Sequence, residues 1–193
     1  QDSHPDCIGL VENFAYLQNQ LRLTSARIGI VEPVSLKDYR EHGGFLGLEK
    51  AQKLSPQEIV DTVTESGLRG RGGAAFPTGI KWQTVLGAPS DQKYIVCNAD
   101  EGDSGTFVDR LIMECDPYVL IEGMAIAGLA VGANEGFIYC RAEYPQAIHT
   151  LDQAIANALE AGVLGDFTLQ VRKAAGAYIC GEETSLLESL EGK

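Results

Sequence analysis

The residues most suited to chemistry lie in one stretch, Gly67–Trp82, which combines five glycines with Arg69, Arg71 and Lys81. Glycine lets the backbone adopt positive φ values and come close to a ligand. Successive backbone N–H groups without bulky side chains form a concavity that favours anions. The whole chain carries a formal net charge of −12, so a local run of cations stands out. We therefore interpret this stretch as the binding site of a phosphate-bearing ligand.

Two other interpretations of the same stretch have to be weighed. The pattern Gly70-x-Gly72-x-x-Ala75 matches a variant of the dinucleotide-binding fingerprint, which requires a strand before it and a helix after it. Here a helix is predicted before it, and Phe76-Pro77-Thr78-Gly79 follows, so an ordinary Rossmann turn is disfavoured. A glycine loop that serves only the fold is the second alternative, and the interleaved arginines favour anion binding over it.

A second polar segment, Asn98–Phe107, contains Asp100, Glu101 and Asp103. It follows a predicted strand at 93–97, and ligands of open α/β sheets bind at the carboxyl ends of strands. Carboxylates accept hydrogen bonds from sugar hydroxyl and amide groups. A metal-binding loop is an alternative, although the spacing does not fit an EF-hand, and a merely solvated loop is another. Recognition of hydroxyl or amide groups is the preferred interpretation.

A third segment, Gly176–Ser185, is predicted to be a short strand at 177–180 that runs into a helix beginning with Glu182 and Glu183. Acidic side chains at a helix start are stabilised by the helix dipole, which is the alternative to a ligand role. They also make this helix start a poor phosphate site. The glycine-rich stretch is therefore assigned to phosphate, and the two acidic segments to a polyol, ribose hydroxyls or a carboxamide. No Ser-His-Asp or Cys-His arrangement is evident, which favours chemistry carried by a cofactor.

Composition excludes several classes of protein. The acidic charge argues against nucleic acid or an anionic membrane as a main partner, and no segment reaches the roughly 18 apolar residues of a membrane span. The five cysteines form no Cys-x-x-Cys pair, so we expect no local zinc or iron–sulfur site. Cys97, Cys140 and Cys180 lie in or at the end of apolar runs, which predicts buried, reduced thiols in a cytoplasmic protein.

Strands that alternate with helices predict an α/β fold with a mainly parallel sheet. Ser55, Pro56 and Glu58 form a helix-start signal with a capping box, and Gly67 is expected to end that helix. Residues 31–54 are expected to be a loop-rich connector. The remaining predicted elements are helices at 11–23, 117–131 (capped by Asp116), 144–161 and 182–190, and strands at 93–97, 136–140 and 167–171.

Four segments together resemble one family, the flavin-containing, NADH-oxidising subunit shared by respiratory complex I, bidirectional NAD-reducing hydrogenases and NAD-dependent molybdenum or tungsten formate dehydrogenases. They are residues 67–82, 94–117, 120–124 and 176–193, and the resemblance covers about residues 55–193. The variants Gly-Gly-Ala-Ala-Phe-Pro, Glu-Gly-Asp-Ser-Gly-Thr-Phe and Ser-Leu-Leu-Glu-Ser-Leu-Glu-Gly-Lys look most like the formate dehydrogenase β subunit. Ala75 departs from the family, because many members have glycine there.

The resemblance implies that FMN and NAD share one cavity in a modified Rossmann-like parallel sheet flanked by helices, with a small N-terminal helical or loop segment. It implies no catalytic side chain and no metal ligand in this chain. The residues implied to hold FMN are Gly70, Arg71, Gly72, Gly73 and Lys81 on the phosphate side, Asn98, Asp100 and Glu101 along the ribityl chain and ring, and Tyr178, Gly181, Glu182 and Glu183 around the pocket. Those implied to contact NAD are Phe76, Asp103 and Glu183.

The resemblance also implies a domain organisation and a function. Residues 1–54 would be a remnant of a preceding domain or a linker, and residues 55–193 an FMN/NAD domain cut before the ubiquitin-like and iron–sulfur domains, which hold a [4Fe–4S] cluster. The implied function is a diaphorase module of a cytoplasmic NAD-dependent formate dehydrogenase. Its implied partners are a thioredoxin-like [2Fe–2S] subunit and a larger iron–sulfur catalytic subunit, without nucleic acid or membrane insertion. The alternatives are the corresponding subunit of complex I or a hydrogenase, a non-enzymatic docking fragment, and a sugar- or nucleotide-binding regulator.

Overall fold

The computed structural model describes residues 9–10, 13–174 and 176–193 of the chain. It confirms the α/β class, because three parallel strands are flanked by helices. In chain order the elements are α1 (Ala15–Gln18), α2 (Leu36–Glu41), α3 (Leu46–Ala51), α4 (Pro56–Glu65), α5 (Thr78–Gly87), β1 (Tyr94–Ala99), α6 (Val108–Cys115), α7 (Pro117–Val131), β2 (Glu135–Cys140), α8 (Pro145–Glu160), β3 (Thr168–Lys173), a 3₁₀ helix (Tyr178–Gly181) and α9 (Glu183–Leu190).

The sheet has the order β1-β2-β3, and its register pairs Ala99 with Cys140 and Cys140 with Lys173 at the carboxyl ends. Parallel strands need a crossover connection, which α6 and α7 provide between β1 and β2 and α8 provides between β2 and β3. One sheet face packs on α7 and α8. The other face packs on α9 through Val96 and Tyr139, which contact Leu186 and Leu190. All three carboxyl ends therefore open at the same edge.

The central helix α7 is buried over most of its surface, including Tyr118, Ile121 and Ala130. Its small residues allow close approach at one point. A Cβ atom placed on Gly128 would lie 2.8 Å from the carbonyl oxygen of Ala133 and 2.9 Å from the Phe167 ring, whereas one placed on Gly123 would meet nothing within 4 Å. Gly128 is therefore required by packing, and Gly123 is not.

This contrast predicts opposite effects of the same substitution in one helix. Gly123→Ala should stabilise the protein by about 1 kcal/mol, because alanine is the better helix former and the site is open. Gly128→Ala should destabilise it by about 1–3 kcal/mol through overpacking against a backbone oxygen. Urea unfolding midpoints of the two variants test this. Equal midpoints would mean that the Ala133 carbonyl oxygen moves away from the added methyl group without lowering the free energy of unfolding.

The predicted start of α4 is confirmed. The Ser55 hydroxyl accepts from the N–H of Glu58, and the Glu58 carboxylate accepts from the N–H of Ser55 at 2.7 Å, which completes the capping box. Gly67 follows the helix with φ +68°. Asp116 is the N-cap residue of α7, as predicted, but its side chain makes no capping hydrogen bond. Its carboxylate is 1% exposed and instead accepts from Arg27 Nε at 2.9 Å.

The predicted helix at 11–23 is wrong in extent. Residues 11 and 12 lie outside the described part, and the helix found in the remainder is the four-residue α1. Leu21 and Leu23 are 87% and 77% exposed. A short helix is only marginally stable in water unless its apolar side chains pack against another part of the protein. Leu21 and Leu23 do not pack in this way, which explains why the helix is shorter than predicted.

The prediction of a loop-rich connector at 31–54 is also wrong, because this region forms α2 and α3. The buried Glu122 carboxylate accepts from Tyr39 Oη at 2.6 Å, from the N–H of Phe45 at 2.8 Å and from the N–H of Leu48 at 2.9 Å. Tyr39, Phe45 and Leu48 belong to the main core. The boundary at residue 54 stays a prediction, although residues 39–51 pack against the body of the fold.

Three further differences concern the elements around the site. Helices α5 and α6 were not predicted, and the predicted strand at 177–180 is a 3₁₀ helix.

Burial raises the pKa of the Cys97 and Cys140 thiols to about 12. Cys140 and Cys180 are buried, as predicted, whereas Cys97 is only half-buried; Cys7 lies outside the described residues. No helix among the described residues is long and apolar enough to cross a bilayer.

Candidate functional site

A cleft of about 870 Å³ opens beside the carboxyl ends of the strands and brings together parts of all three predicted segments. Two of its walls come from the loops that follow α4 and β1, and the third from the 3₁₀ helix before α9. Ten of the predicted site residues line it: Arg71, Gly72, Gly73, Asn98, Asp100, Glu101, Asp103, Tyr178, Gly181 and Glu182.

The first wall is the glycine loop, which we define as residues 70–76. Its two ends meet in an antiparallel bridge, in which Gly70 N donates to Phe76 O and Thr78 N donates to Leu68 O, each at 2.9 Å. Within the described chain, the N–H groups of residues 71–74 have no hydrogen-bond acceptor. Gly73 has φ +95°, and a Cβ atom added to Gly72 or Gly73 would meet nothing within 4 Å. The loop therefore presents free donors around open space, as an anion site requires.

The second wall contains a carboxylate oxygen without a partner. Asp100 Oδ2 is buried and accepts no hydrogen bond from any described residue. Burial raises the pKa of Asp100, the charge of Arg141 opposes the rise, and Glu143 adds to it. Asn98 Nδ2 donates to Gly181 O at 2.8 Å and so ties this wall to the third one. A buried unpaired acceptor beside a cleft calls for a donor from a ligand.

Glu101 lines the cleft, but its carboxylate is already used by the fold. Its oxygens accept from Asp109 N at 3.0 Å and Arg110 N at 3.3 Å in the first turn of α6, and from Tyr144 Oη at 3.1 Å. The side chain is in consequence 8% exposed. Glu101 supplies the cap of α6 and fixes the loop that carries Asp100.

Tyr178 connects the second and third walls at the cleft mouth. Its hydroxyl donates to Asp103 Oδ1 at 2.8 Å, and this bond raises the pKa of Tyr178. Its ring lies so close to Gly102 that a Cβ atom there would be 2.8 Å from it. Tyr178 is 72% exposed, so the phenol is available to a ligand.

Glu182 takes the stabilising role that was the alternative to ligand binding. It is the N-cap of α9, and its carboxylate accepts from Ser185 N at 3.1 Å. Hydrogen bonds from the N–H groups of Thr184 and Ser185 lower its pKa. It also lines the cleft.

Four predicted site residues do not line the cleft: Gly70 lies at the neck of the glycine loop, Phe76 ends that loop, Lys81 lies in the first turn of α5, and Glu183 begins α9.

The lining residues that sequence reasoning missed are Gly102, Thr106, Val108, Asp109 and Ile179. Val108 and Asp109 belong to the unpredicted helix α6, so no local signal marked them. Arg141 and Tyr144, which hold Glu101 from behind, follow β2 and gave no signal of their own.

The arrangement fits a mononucleotide. Free N–H groups and Arg71 supply the donors that a phosphate needs, while Asp100 supplies an acceptor for a hydroxyl group. No group of three or more metal-ligating side chains occurs among the residues that the structure describes.

Comparison with known proteins leads to the same ligand. The chain is 50% identical to the HndC subunit of the NADP-reducing hydrogenase of Solidesulfovibrio fructosivorans over 91% of its length, and 48% identical to a subunit of the NADH-quinone oxidoreductase of Aquifex aeolicus over 92%. It covers 37% and 43% of those two proteins. A solved NAD⁺-reducing [NiFe]-hydrogenase in the H₂-reduced state matches with a TM-score of 0.71 at 34% identity, over 90% of this chain and 29% of that one.

The chain thus spans less than half the length of the curated relatives it matches. Residues 63–193 match the family described as the Nuo51 FMN-binding domain. That match includes the three walls of the cleft, which are the glycine loop, the polar loop after β1 and the 3₁₀ helix before α9. The chain belongs to the Nuo51 FMN-binding domain family, and its cofactor is FMN.

Proposed function

We propose that this chain is the flavin-binding part of a diaphorase subunit that transfers hydride between NAD(H) and FMN and passes single electrons to iron–sulfur clusters. The observation that carries the proposal is the cleft, which is lined both by the glycine loop with its free N–H groups and by Asp100. FMN, when bound, supplies the exchange between two-electron and one-electron chemistry. The side chains of the protein bind and orient the reactants and exclude water.

On the FMN side, Arg71 and the N–H groups of residues 71–74 hold the phosphate, with Lys81 adding charge from α5. Asp100, which lines the cleft, accepts from a ribityl hydroxyl. Asn98 holds the two walls together through Gly181. Gly70, Glu182 and Glu183 complete the proposed set around these groups.

On the NAD side, Asp103 lies at the cleft mouth, where it accepts a hydrogen bond from Tyr178, which belongs to the proposed FMN set. Phe76 is 50% exposed at the end of the glycine loop, where its ring is free to stack on an adenine. Glu183 begins α9 beside the mouth and is the third residue proposed to contact NAD. The nicotinamide would then be held against the flavin from the solvent side.

The test is flavin reconstitution followed by reduction. The full-length protein, stripped of flavin, should bind one FMN and lose the flavin absorbance band when NADH is added without oxygen. Free FMN at the same concentration with NADH is the control and should keep its absorbance. A protein that retains no FMN with all its partner subunits present would contradict the proposal.

For the wider assembly we propose a cytoplasmic NAD-dependent formate dehydrogenase, with a thioredoxin-like [2Fe–2S] subunit, a larger catalytic subunit and a [4Fe–4S] cluster held outside this chain. The similarity to hydrogenase and NADH-quinone oxidoreductase subunits favours the corresponding place in those complexes as the second candidate. Metal analysis of the purified complex separates the candidates. Molybdenum or tungsten supports the first, nickel supports a hydrogenase, and a membrane complex without these metals supports a quinone reductase.

The charge of Arg141 predicts a pH effect on FMN affinity. Asp100 is the stronger hydrogen-bond acceptor when it is ionised, so FMN affinity falls as pH falls through its pKa, which burial raises and Arg141 lowers. Arg141→Met removes the opposing charge and leaves the effect of Glu143, so the loss should begin at a higher pH than in the parent. FMN titrations across pH measure the shift. Adding Asp100→Asn should abolish it, and a shift that survives this addition would place its origin elsewhere.

A further inference from the structure

We propose that Arg69 is a positioning residue of the glycine loop, whose guanidinium ties the neck of the loop and does not bind the ligand. The inference rests on the proposed function, in which this loop holds the FMN phosphate. Sequence reasoning counted Arg69 with Arg71 and Lys81 as positive charges for an anion. The geometry separates Arg69 from Arg71.

Arg69 Nη1 donates to the carbonyl oxygen of Ala75 at 3.0 Å, across the neck of the loop. The Arg69 backbone pairs with Pro77 in the same antiparallel bridge. Arg71 lines the cleft and Arg69 does not. Two arginines that are two residues apart therefore serve different purposes, because one faces the ligand space and the other faces the loop itself.

The loop needs such a tie for a reason visible in its backbone. Ala75 has φ +50°, a conformation that side chains other than glycine rarely adopt, so surrounding contacts must hold it. Gly72 and Gly73 add chain freedom, and even a Cβ atom added to either of them would meet nothing within 4 Å. Among the described residues, hydrogen bonds restrain this loop only at its neck, through Gly70 N, Thr78 N and the Arg69 side chain.

Restraint of the neck has a consequence for binding. The N–H groups of residues 71–74 are unpaired before a ligand arrives. A loop already held in its binding conformation loses less entropy when the phosphate binds, and this raises affinity. Loss of the tie should therefore weaken the recognition of phosphate specifically, with little effect on the rest of the flavin.

The experiment compares FMN with riboflavin, which lacks the phosphate, on the flavin-free full-length protein. The variants are Arg69→Met, Arg69→Gln and Arg69→Lys, with Arg71→Met as the contrast. In Arg69→Met the preference for FMN over riboflavin should fall about tenfold. This factor is equivalent to weakening one or two of the hydrogen bonds that the loop N–H groups make to the phosphate. The affinity for riboflavin should change less than about threefold. If the parent protein showed no preference for FMN over riboflavin, the assignment of the glycine loop to the phosphate would be wrong. That result would refute the proposed function and is distinguishable from a failure of the Arg69 inference.

Hydrogen exchange of the Gly70 and Thr78 amides reports the neck without any ligand, because both are bonded across it. Their protection should fall in Arg69→Met and stay in Arg71→Met, although both variants lose the preference for FMN. Across the three Arg69 variants, FMN preference should follow neck protection. The inference is overturned if Arg69→Met keeps its preference, or if preference is lost while the neck stays protected. It is also overturned if Arg69→Lys keeps its preference with an open neck, since charge alone would then explain it.

Discussion

Gly72→Val should lower the affinity for FMN by about 100-fold and leave the stability of the flavin-free protein unchanged. Gly72 lines the cleft and has no positive φ, so valine meets no backbone strain there. A Cβ atom at this position contacts no protein atom within 4 Å, so the added side chain fills only ligand space. Displacing a phosphate from two N–H donors costs about 3 kcal/mol, since bonds to charged groups contribute about 1.5–3 kcal/mol each.

Fluorescence titration of FMN measures this loss, and thermal unfolding of the flavin-free protein measures the stability. Gly72→Ala is the graded control, because its single methyl group should cost much less affinity than the valine side chain. Riboflavin affinity should fall less than FMN affinity in both variants. If Gly72→Val bound FMN as tightly as the parent, the phosphate would have to lie elsewhere in the cleft.

Sequence reasoning located the walls of the site because their signals are local. The glycine loop is marked by composition, and the polar loop after β1 is marked by the strand that precedes it. The capping box of α4 involves Ser55 and Glu58, three residues apart, and was predicted correctly. The resemblance to a known family then joined these segments into one pocket, and the cleft contains most of the residues it implied.

The starts of the missed helices α3 and α6 depend on acceptors that lie outside those helices. The start of α3 is held by Glu122, which accepts from Phe45 N and Leu48 N across 77 and 74 residues. The start of α6 is held by Glu101, a carboxylate in the loop that the sequence analysis assigned to ligand binding. No pattern within either helix encodes these contacts. The same reason explains Asp116, whose buried carboxylate binds Arg27, 89 residues away, instead of capping α7.

Helix α5 was missed for a different reason, which leads to the second large effect. Its second residue, Gly79, is a poor helix former, but glycine is required there by the contact with α4. A Cβ atom on Gly79 would lie 2.1 Å from Thr64 Oγ1 and 2.7 Å from Thr64 Cα. The hydroxyl can rotate away from its bond to Val60 O, but a Cα atom cannot. The two helices would therefore have to separate.

We expect Gly79→Ala to destabilise the protein by about 2–3 kcal/mol, at the upper range for overpacking. It should also weaken FMN binding, because α5 begins directly after the glycine loop and Thr78 N closes the neck of that loop. Chemical denaturation and FMN titration measure the two effects. Gly87→Ala, at the open end of the same helix, is the matched control and should stay within about 0.5 kcal/mol of the parent.

A double variant identifies which atoms of Thr64 cause the cost. Thr64→Ala removes the hydroxyl and methyl groups but leaves Cα and Cβ, which would lie 2.7 and 2.8 Å from the new methyl group. Combining it with Gly79→Ala should therefore leave most of the destabilisation and of the lost FMN affinity in place. Full recovery would mean that the backbones of α4 and α5 separate at little cost. The position of the glycine loop would then be independent of this helix contact.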